Sequence, residues 1–105
     1  MQRENPTVVK DRKVIMNKEI KKGTVMYYAR ISHNLGMYEL CELKVRSVYD
    51  TYFVALENRT KIAFLFGYNL IGDVVFFSRK EALEKVREAE KDKREISSET
   101  YYEEY

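Results

Sequence analysis

His33 and Cys41 are the only histidine and the only cysteine of the chain, so nucleophilic chemistry would have to start from them. A thiol becomes a good nucleophile when a neighbouring imidazole lowers its pKa. His33 falls in a predicted turn, whereas the alternation of the strand that contains Cys41 turns the thiol inward. The nearest paired acids, Glu39 and Glu42, fall on opposite faces of that strand. The sequence therefore predicts a protein that is not an enzyme and that uses no metal or other cofactor.

Basic residues offer a different chemistry, the binding of phosphate. Residues 1–23 carry seven basic and three acidic side chains, whereas residues 78–105 carry seven and nine, so the charge is polarised along the chain. Lysine and arginine side chains bind nucleic acid mainly through its phosphates. The candidate nucleic-acid contacts lie in the basic N-terminal segment and on the outward face of the first two strands of the predicted barrel: Lys18, Lys21, Lys22, Arg30, Lys44 and Arg46.

Tyrosine is unusually frequent in the chain, which has nine tyrosines and no tryptophan. A tyrosine combines a large contact area with a polar tip, which is typical of interfaces. The third predicted strand is apolar on both faces, so its outer face needs cover from the helix, from the N-terminal segment or from a partner. The acidic tail after the predicted helix carries Tyr101, Tyr102 and Tyr105, at positions where no hydrophobic core requires an aromatic ring. The candidate partner contacts are Tyr52, Phe53, Tyr101, Tyr102, Glu103, Glu104 and Tyr105.

Residues 24–77 supply a scaffold for these side chains. Hydrophobic alternation and β-forming residues predict five strands, over 24–32, 37–48, 51–57, 61–66 and 73–77. Two glycines bracket residues 67–72, which predicts one tight helical turn with Leu70 or Ile71 plugging the end of the barrel. Ser78 and Glu81 match a capping box, and an apolar stripe then predicts a helix from Arg79 to about Lys93.

The predicted fold class is α+β, a small five-stranded antiparallel β-barrel with a C-terminal helix. The barrel occupies residues 24–77, after a basic extension at 1–23 and before the helix and acidic tyrosine-rich tail at 78–105. The extension predicts a short strand or helix near Val14 to Lys22. No apolar run reaches the ~20 residues that span a bilayer, so no membrane contact is expected. The N-terminus lacks the apolar segment of a signal peptide, so we expect a cytoplasmic protein.

The segments YFVALENRTKIAFLF and VVFFSRKEALEKVREAE resemble small uncharacterised proteins of phages and mobile elements of Firmicutes. The strand count and the one-turn segment before the last strand also resemble a Src-homology-3-like barrel. Phage accessory proteins of this kind often inhibit host defences, including CRISPR nucleases, by binding them. The resemblance implies a protein-binding module that inhibits a host nucleic-acid-processing defence complex, with a host protein or ribonucleoprotein as its partner.

Two alternatives stay open beside that interpretation. A small β-barrel that binds nucleic acid directly would use the basic residues named above, and its binding would depend on salt. A structural or assembly subunit would self-associate through its open apolar faces. The residues do not decide the oligomeric state.

Overall fold

The computed structural model describes the backbone of residues 9–103 and the side chains of residues 9–92. This part of the chain forms seven strands, one turn of 3₁₀ helix and one α-helix. The strands are β1 (Arg12–Ile15), β2 (Lys18–Lys21), β3 (Val25–Ser32), β4 (Met37–Val48), β5 (Tyr52–Glu57), β6 (Ala63–Gly67) and β7 (Val75–Phe76). The 3₁₀ turn spans Tyr68–Leu70, and the helix α1 spans Arg79–Glu103.

Five strands form one antiparallel sheet in the order β6-β5-β4-β3-β7. Strands β3 to β6 follow one another as hairpins, and β7 returns to pair with the free side of β3. A bulge between Val45 and Ser47 interrupts the register of the long strand β4 and bends it. The sheet is curled, but its edge strands β6 and β7 do not pair with each other, so it is a half-barrel and the predicted closed barrel is not confirmed. The α+β class, the five antiparallel strands and the C-terminal helix agree with the prediction.

The inner face of the half-barrel carries the main core. Cys41, Leu43 and Val45 of β4 point into it, as their alternation predicts. The 3₁₀ turn lies at one end of this core, where Leu70 and Ile71 pack against the buried residues. The predicted single helical turn before the last strand is therefore confirmed. The last strand itself is shorter than the predicted 73–77, since only Val75–Phe76 join the ladder.

The basic N-terminal segment contributes a hairpin to this core. β1 and β2 pair around Met16 and Asn17, whose φ angles of 54° and 65° belong to the left-handed region that tight hairpin turns require. Ile20 on β2 is fully buried among the inner-face residues. The segment predicted to hold one short strand or helix is thus a two-stranded hairpin. Burial of Ile20 ties that hairpin to the sheet.

Helix α1 covers part of the outer face, against β3, β4 and β7. Its residues Ala82 and Val86 pack on Ala29 and Phe76 and form a second, smaller core. The last strand β7 is therefore covered on both sides, since Val75 packs in the inner-face core and Phe76 packs against α1. On β5 and β6 the outer face is more open, since Leu65 is 62% exposed.

The start of α1 agrees with the prediction, but its end does not. The N–H of Glu81 donates to Ser78 Oγ at 3.4 Å, so Ser78 is the predicted N-cap. The helix ends at Glu103 rather than near Lys93. The two serines at 97–98 lower helix propensity by only about 0.5 kcal/mol each, which does not end a helix. Among the described residues, no helix is both long and apolar enough to cross a membrane.

Candidate nucleic-acid interface

Four basic side chains surround a surface depression of about 240 Å³ on the outer face. We call this the basic depression. All four cations are exposed, and none forms an ion pair with another described residue. No acidic side chain of the described part of the chain lines it. The lining residues are Lys22, Gly23, Lys44, Val45, Arg46, Leu56, Asn58 and Lys61.

Three separate segments bring the cations together. Lys44 and Arg46 extend from β4, on the outward face that the alternation predicts, and Arg46 lies at the bulge. Lys22 follows β2, where the Gly23 N–H donates to the Val45 carbonyl at 2.8 Å. Because Gly23 has a φ of 96°, the chain can turn there from the hairpin to β3 while keeping Lys22 beside β4.

Lys61 is the fourth cation, and it was not among the predicted contacts. It lies in the turn between β5 and β6 with a φ of 61°, and its N–H donates to the Glu57 carbonyl at 2.8 Å. A left-handed lysine costs about 1 kcal/mol relative to a relaxed backbone. The sequence offered one signal for Lys61: it directly follows the predicted hairpin turn Asn58-Arg59-Thr60, and a residue at that position is displayed at the surface.

The carboxylate of Glu57 holds this turn in shape. It accepts hydrogen bonds from the Thr60 hydroxyl at 2.7 Å, the Thr60 N–H at 2.8 Å and the Arg59 N–H at 3.2 Å. These bonds, with Thr60 as the largest cause, lower the pKa of Glu57 from 4.5 to about 2. Glu57 is buried and faces the turn, so its charge is compensated within the turn that presents Lys61, by the Thr60 hydroxyl, the two N–H groups and the Arg59 Nε at 3.5 Å.

The other predicted cations lie elsewhere. Lys21 Nζ is 3.3 Å from Glu19, and Lys18 Nζ lies 5.6 Å from the centroid of the Phe77 ring. Arg30 does not share a face with Lys44 and Arg46, so that part of the predicted patch is wrong. In the pairing of β3 with β4, Arg30 lies opposite Glu39, and Tyr28 lies opposite Cys41. Because Cys41 points inward and Arg30 is two positions from Tyr28, Arg30 is also on the inner side. There it approaches Glu39 at 3.9 Å and lies over the Phe64 ring at 5.4 Å.

The predicted partner contacts are also divided by the structure. Phe53 is fully buried on the inner face and offers no surface, because alternation along β5 turns it toward the core. Tyr52 is half-buried and stacks on Tyr49 with ring centroids 4.7 Å apart. Tyr101, Tyr102 and Glu103 belong to the backbone of α1, but their side chains, like the whole of Glu104 and Tyr105, lie outside the described residues.

His33 and Cys41 are not brought together. The His33 Nδ1 lies 2.7 Å from the Tyr38 hydroxyl in an exposed position, whereas Cys41 is buried in the inner-face core. Burial raises the pKa of the Cys41 thiol and so disfavours the nucleophilic thiolate. Over the described part of the chain, no group of three or more His, Cys, Asp or Glu side chains is placed to hold a metal ion.

Comparison with known proteins adds no relative to this picture. No protein-family model matches the chain, and neither the curated proteins nor the solved structures contain a significant match.

Proposed function

We propose that this protein is a non-enzymatic binding domain that holds the phosphate backbone of a nucleic acid in the basic depression. The observation that carries the proposal is the convergence of Lys22, Lys44, Arg46 and Lys61, from three segments, around one depression that no acidic side chain of residues 9–92 lines. When cations of this kind contact phosphates, the counterions condensed on the nucleic acid are released, which drives binding. The net charge of +2 does not oppose this, because association depends on the local field at the contact surface.

The finer fold assignment belongs to the same proposal. We infer that the half-barrel is of the Src-homology-3-like kind and acts in the cytoplasm. The order β6-β5-β4-β3-β7 and the 3₁₀ turn before β7 support the fold assignment. The sheet would then support the basic depression, which lies on the exposed part of its outer face.

A half-buried tyrosine near the basic depression, Tyr52, favours a single strand over a duplex. Tyr52 and Leu56 are four residues apart on the outer side of β5, which is about 13 Å along an extended strand. Leu56 lines the depression, and Tyr52 presents a ring beyond it. A base that stacks on a tyrosine contributes about 1–3 kcal/mol in single-strand complexes. Phosphates in the depression would therefore leave an unpaired base within reach of Tyr52.

The test is a matched pair of double charge reversals, measured by fluorescence anisotropy with labelled single-stranded RNA and DNA. Lys44→Glu with Lys61→Glu removes two cations of the depression. Lys80→Glu with Lys91→Glu makes the same change in net charge on exposed positions of α1. We expect the first pair to weaken binding more than about tenfold and the second less than about threefold. Equal losses in both pairs, or no binding by the wild type at low salt, would refute the proposal.

A second candidate is the protein-binding module that the resemblance implies, an inhibitor of a host defence complex such as a CRISPR nuclease. The half-exposed Tyr49–Tyr52 stack is the observation in its favour, since rigid tyrosines make good interface anchors. Its partner would be a host protein or ribonucleoprotein complex. Tyr52→Ala and truncation after Ile96 should each reduce recovery of one defined host complex from lysate. If both variants recover it as well as the wild type does, neither the stack nor the tail is the contact.

A further inference from the structure

Strand β6 is an open edge of the sheet. Among the described residues it pairs with β5 alone, and its sequence Ala-Phe-Leu-Phe-Gly contains no charge. Leu65 at the centre of the strand is 62% exposed, and Ile62, the residue before the strand, is 50% exposed. Natural sheets usually protect such an edge with lysine, proline or a covering element, because its free backbone groups pair readily with another strand. An uncharged, apolar edge is therefore a candidate interaction surface.

The hydrogen bonds show which backbone groups of this edge are free. The Glu57 N–H donates to the Ile62 carbonyl at 2.9 Å, which begins the bonding between β5 and β6. Antiparallel pairs alternate between bonded and non-bonded, so Ala55–Phe64 and Phe53–Phe66 are the next bonded pairs. Leu65, opposite Val54, is consequently in a non-bonded pair. Its N–H and carbonyl point away from β5, toward the open edge.

A second copy of β6 fits this edge in a symmetric register centred on Leu65. If Leu65 lies opposite Leu65 of the second copy, the two residues exchange both of their free backbone bonds. Phe64 then opposes Phe66, and Ala63 opposes Gly67. Beyond the strand, Lys61 comes toward Asn69 rather than toward a second lysine. The register thus pairs aromatic with aromatic residues and avoids a direct opposition of like charges.

We propose that two copies of this protein pair antiparallel through β6, centred on Leu65, to form a continuous ten-stranded sheet. The two-fold axis of such a pair is perpendicular to the sheet, so both outer faces lie on the same side. Both basic depressions then face one ligand, which would raise the avidity for a long nucleic acid without any new contact. The pairing itself depends on the edge alone and holds whether or not the ligand is a nucleic acid. A single edge buries little area, so the dimer is weak and concentration-dependent.

The first experiment is sedimentation velocity over about a hundredfold range of protein concentration, where a weak dimer changes its population by mass action. Leu65→Lys places two lysines opposite each other and should raise the dimer dissociation constant more than about tenfold. Leu35→Lys is the matched control, because Leu35 is 75% exposed in the turn between β3 and β4. It should associate as the wild type does. A wild type that stays monomeric at the highest concentration overturns the proposal.

A second experiment tests the register without relying on a loss of association. Mild oxidation of Leu65→Cys should give a disulfide-linked dimer, because residues directly opposite in a bonded pair have Cα atoms about 5.5 Å apart, within disulfide reach. Leu35→Cys should stay uncrosslinked, and the native Cys41 is buried. A wild-type dimer without the Leu65→Cys crosslink would place the interface elsewhere. A wild-type monomer whose β6 edge binds an added extended apolar peptide would show that the edge takes a different occupant and would overturn the proposed dimer.

Discussion

Replacing Ile20 by alanine tests whether the N-terminal hairpin is part of the folded domain. Ile20 is fully buried between the hairpin and the inner face. The change removes about three buried methylene-sized groups at about 0.8 kcal/mol each, and the cavity left behind brings the expected loss to about 3–4 kcal/mol. That loss is a large share of the stability of a small domain, which is typically about 5–15 kcal/mol.

Urea unfolding monitored by circular dichroism measures this difference directly. Val14→Ala is the matched control, because Val14 is on the same hairpin but 61% exposed. It should cost less than about 0.5 kcal/mol. If Ile20→Ala also costs less than about 1 kcal/mol, the hairpin contributes no core, and the placement of Lys22 beside β4 loses its support.

Two further predictions concern the turn between β5 and β6. Because the pKa of Glu57 is lowered from 4.5 to about 2 on folding, its stabilising contribution is complete above pH 4.5 and is lost as the pH falls toward 2. Urea unfolding should show that this part of the acid destabilisation is absent in Glu57→Gln, and an unchanged pH profile would contradict the hydrogen bonds assigned to Glu57. Lys61→Gly should raise the unfolding free energy by about 1 kcal/mol, because glycine tolerates a φ of 61°. The same change should weaken nucleic-acid binding, whereas Lys61→Ala should weaken binding without stabilising the fold; a glycine variant that is destabilised would refute the assigned strain.

Local pattern predicted the elements whose signals are local. The bounds of β4, the inward direction of Cys41, the outward direction of Lys44 and the start of α1 after Ser78 all follow from alternation and capping. The open form of the sheet and the short β7 do not. They depend on which distant strands pair, and no local period encodes that choice.

The errors at the candidate site have the same origin. Arg30 and Lys44 are both on strands with clear alternation, but only the register between β3 and β4 shows that they lie on opposite faces. Phe53 belongs to a strand that is apolar on both faces, so its period cannot tell the core side from the outer side. Lys61 lies in a turn, where its contribution to the basic depression depends on the hydrogen bonds of Glu57. Each of these three placements depends on tertiary contacts, which a local sequence pattern does not encode.

The salt dependence of nucleic-acid binding tests the central claim most directly. Four phosphate contacts in the basic depression predict that log Kobs for a single strand falls against log salt concentration with a slope of about −3. Removing Lys44 and Lys61 should reduce the magnitude of that slope by about 1.4. A wild-type slope near zero, or an unchanged slope in the Lys44→Glu, Lys61→Glu variant, would contradict the assignment of the basic depression as the phosphate site.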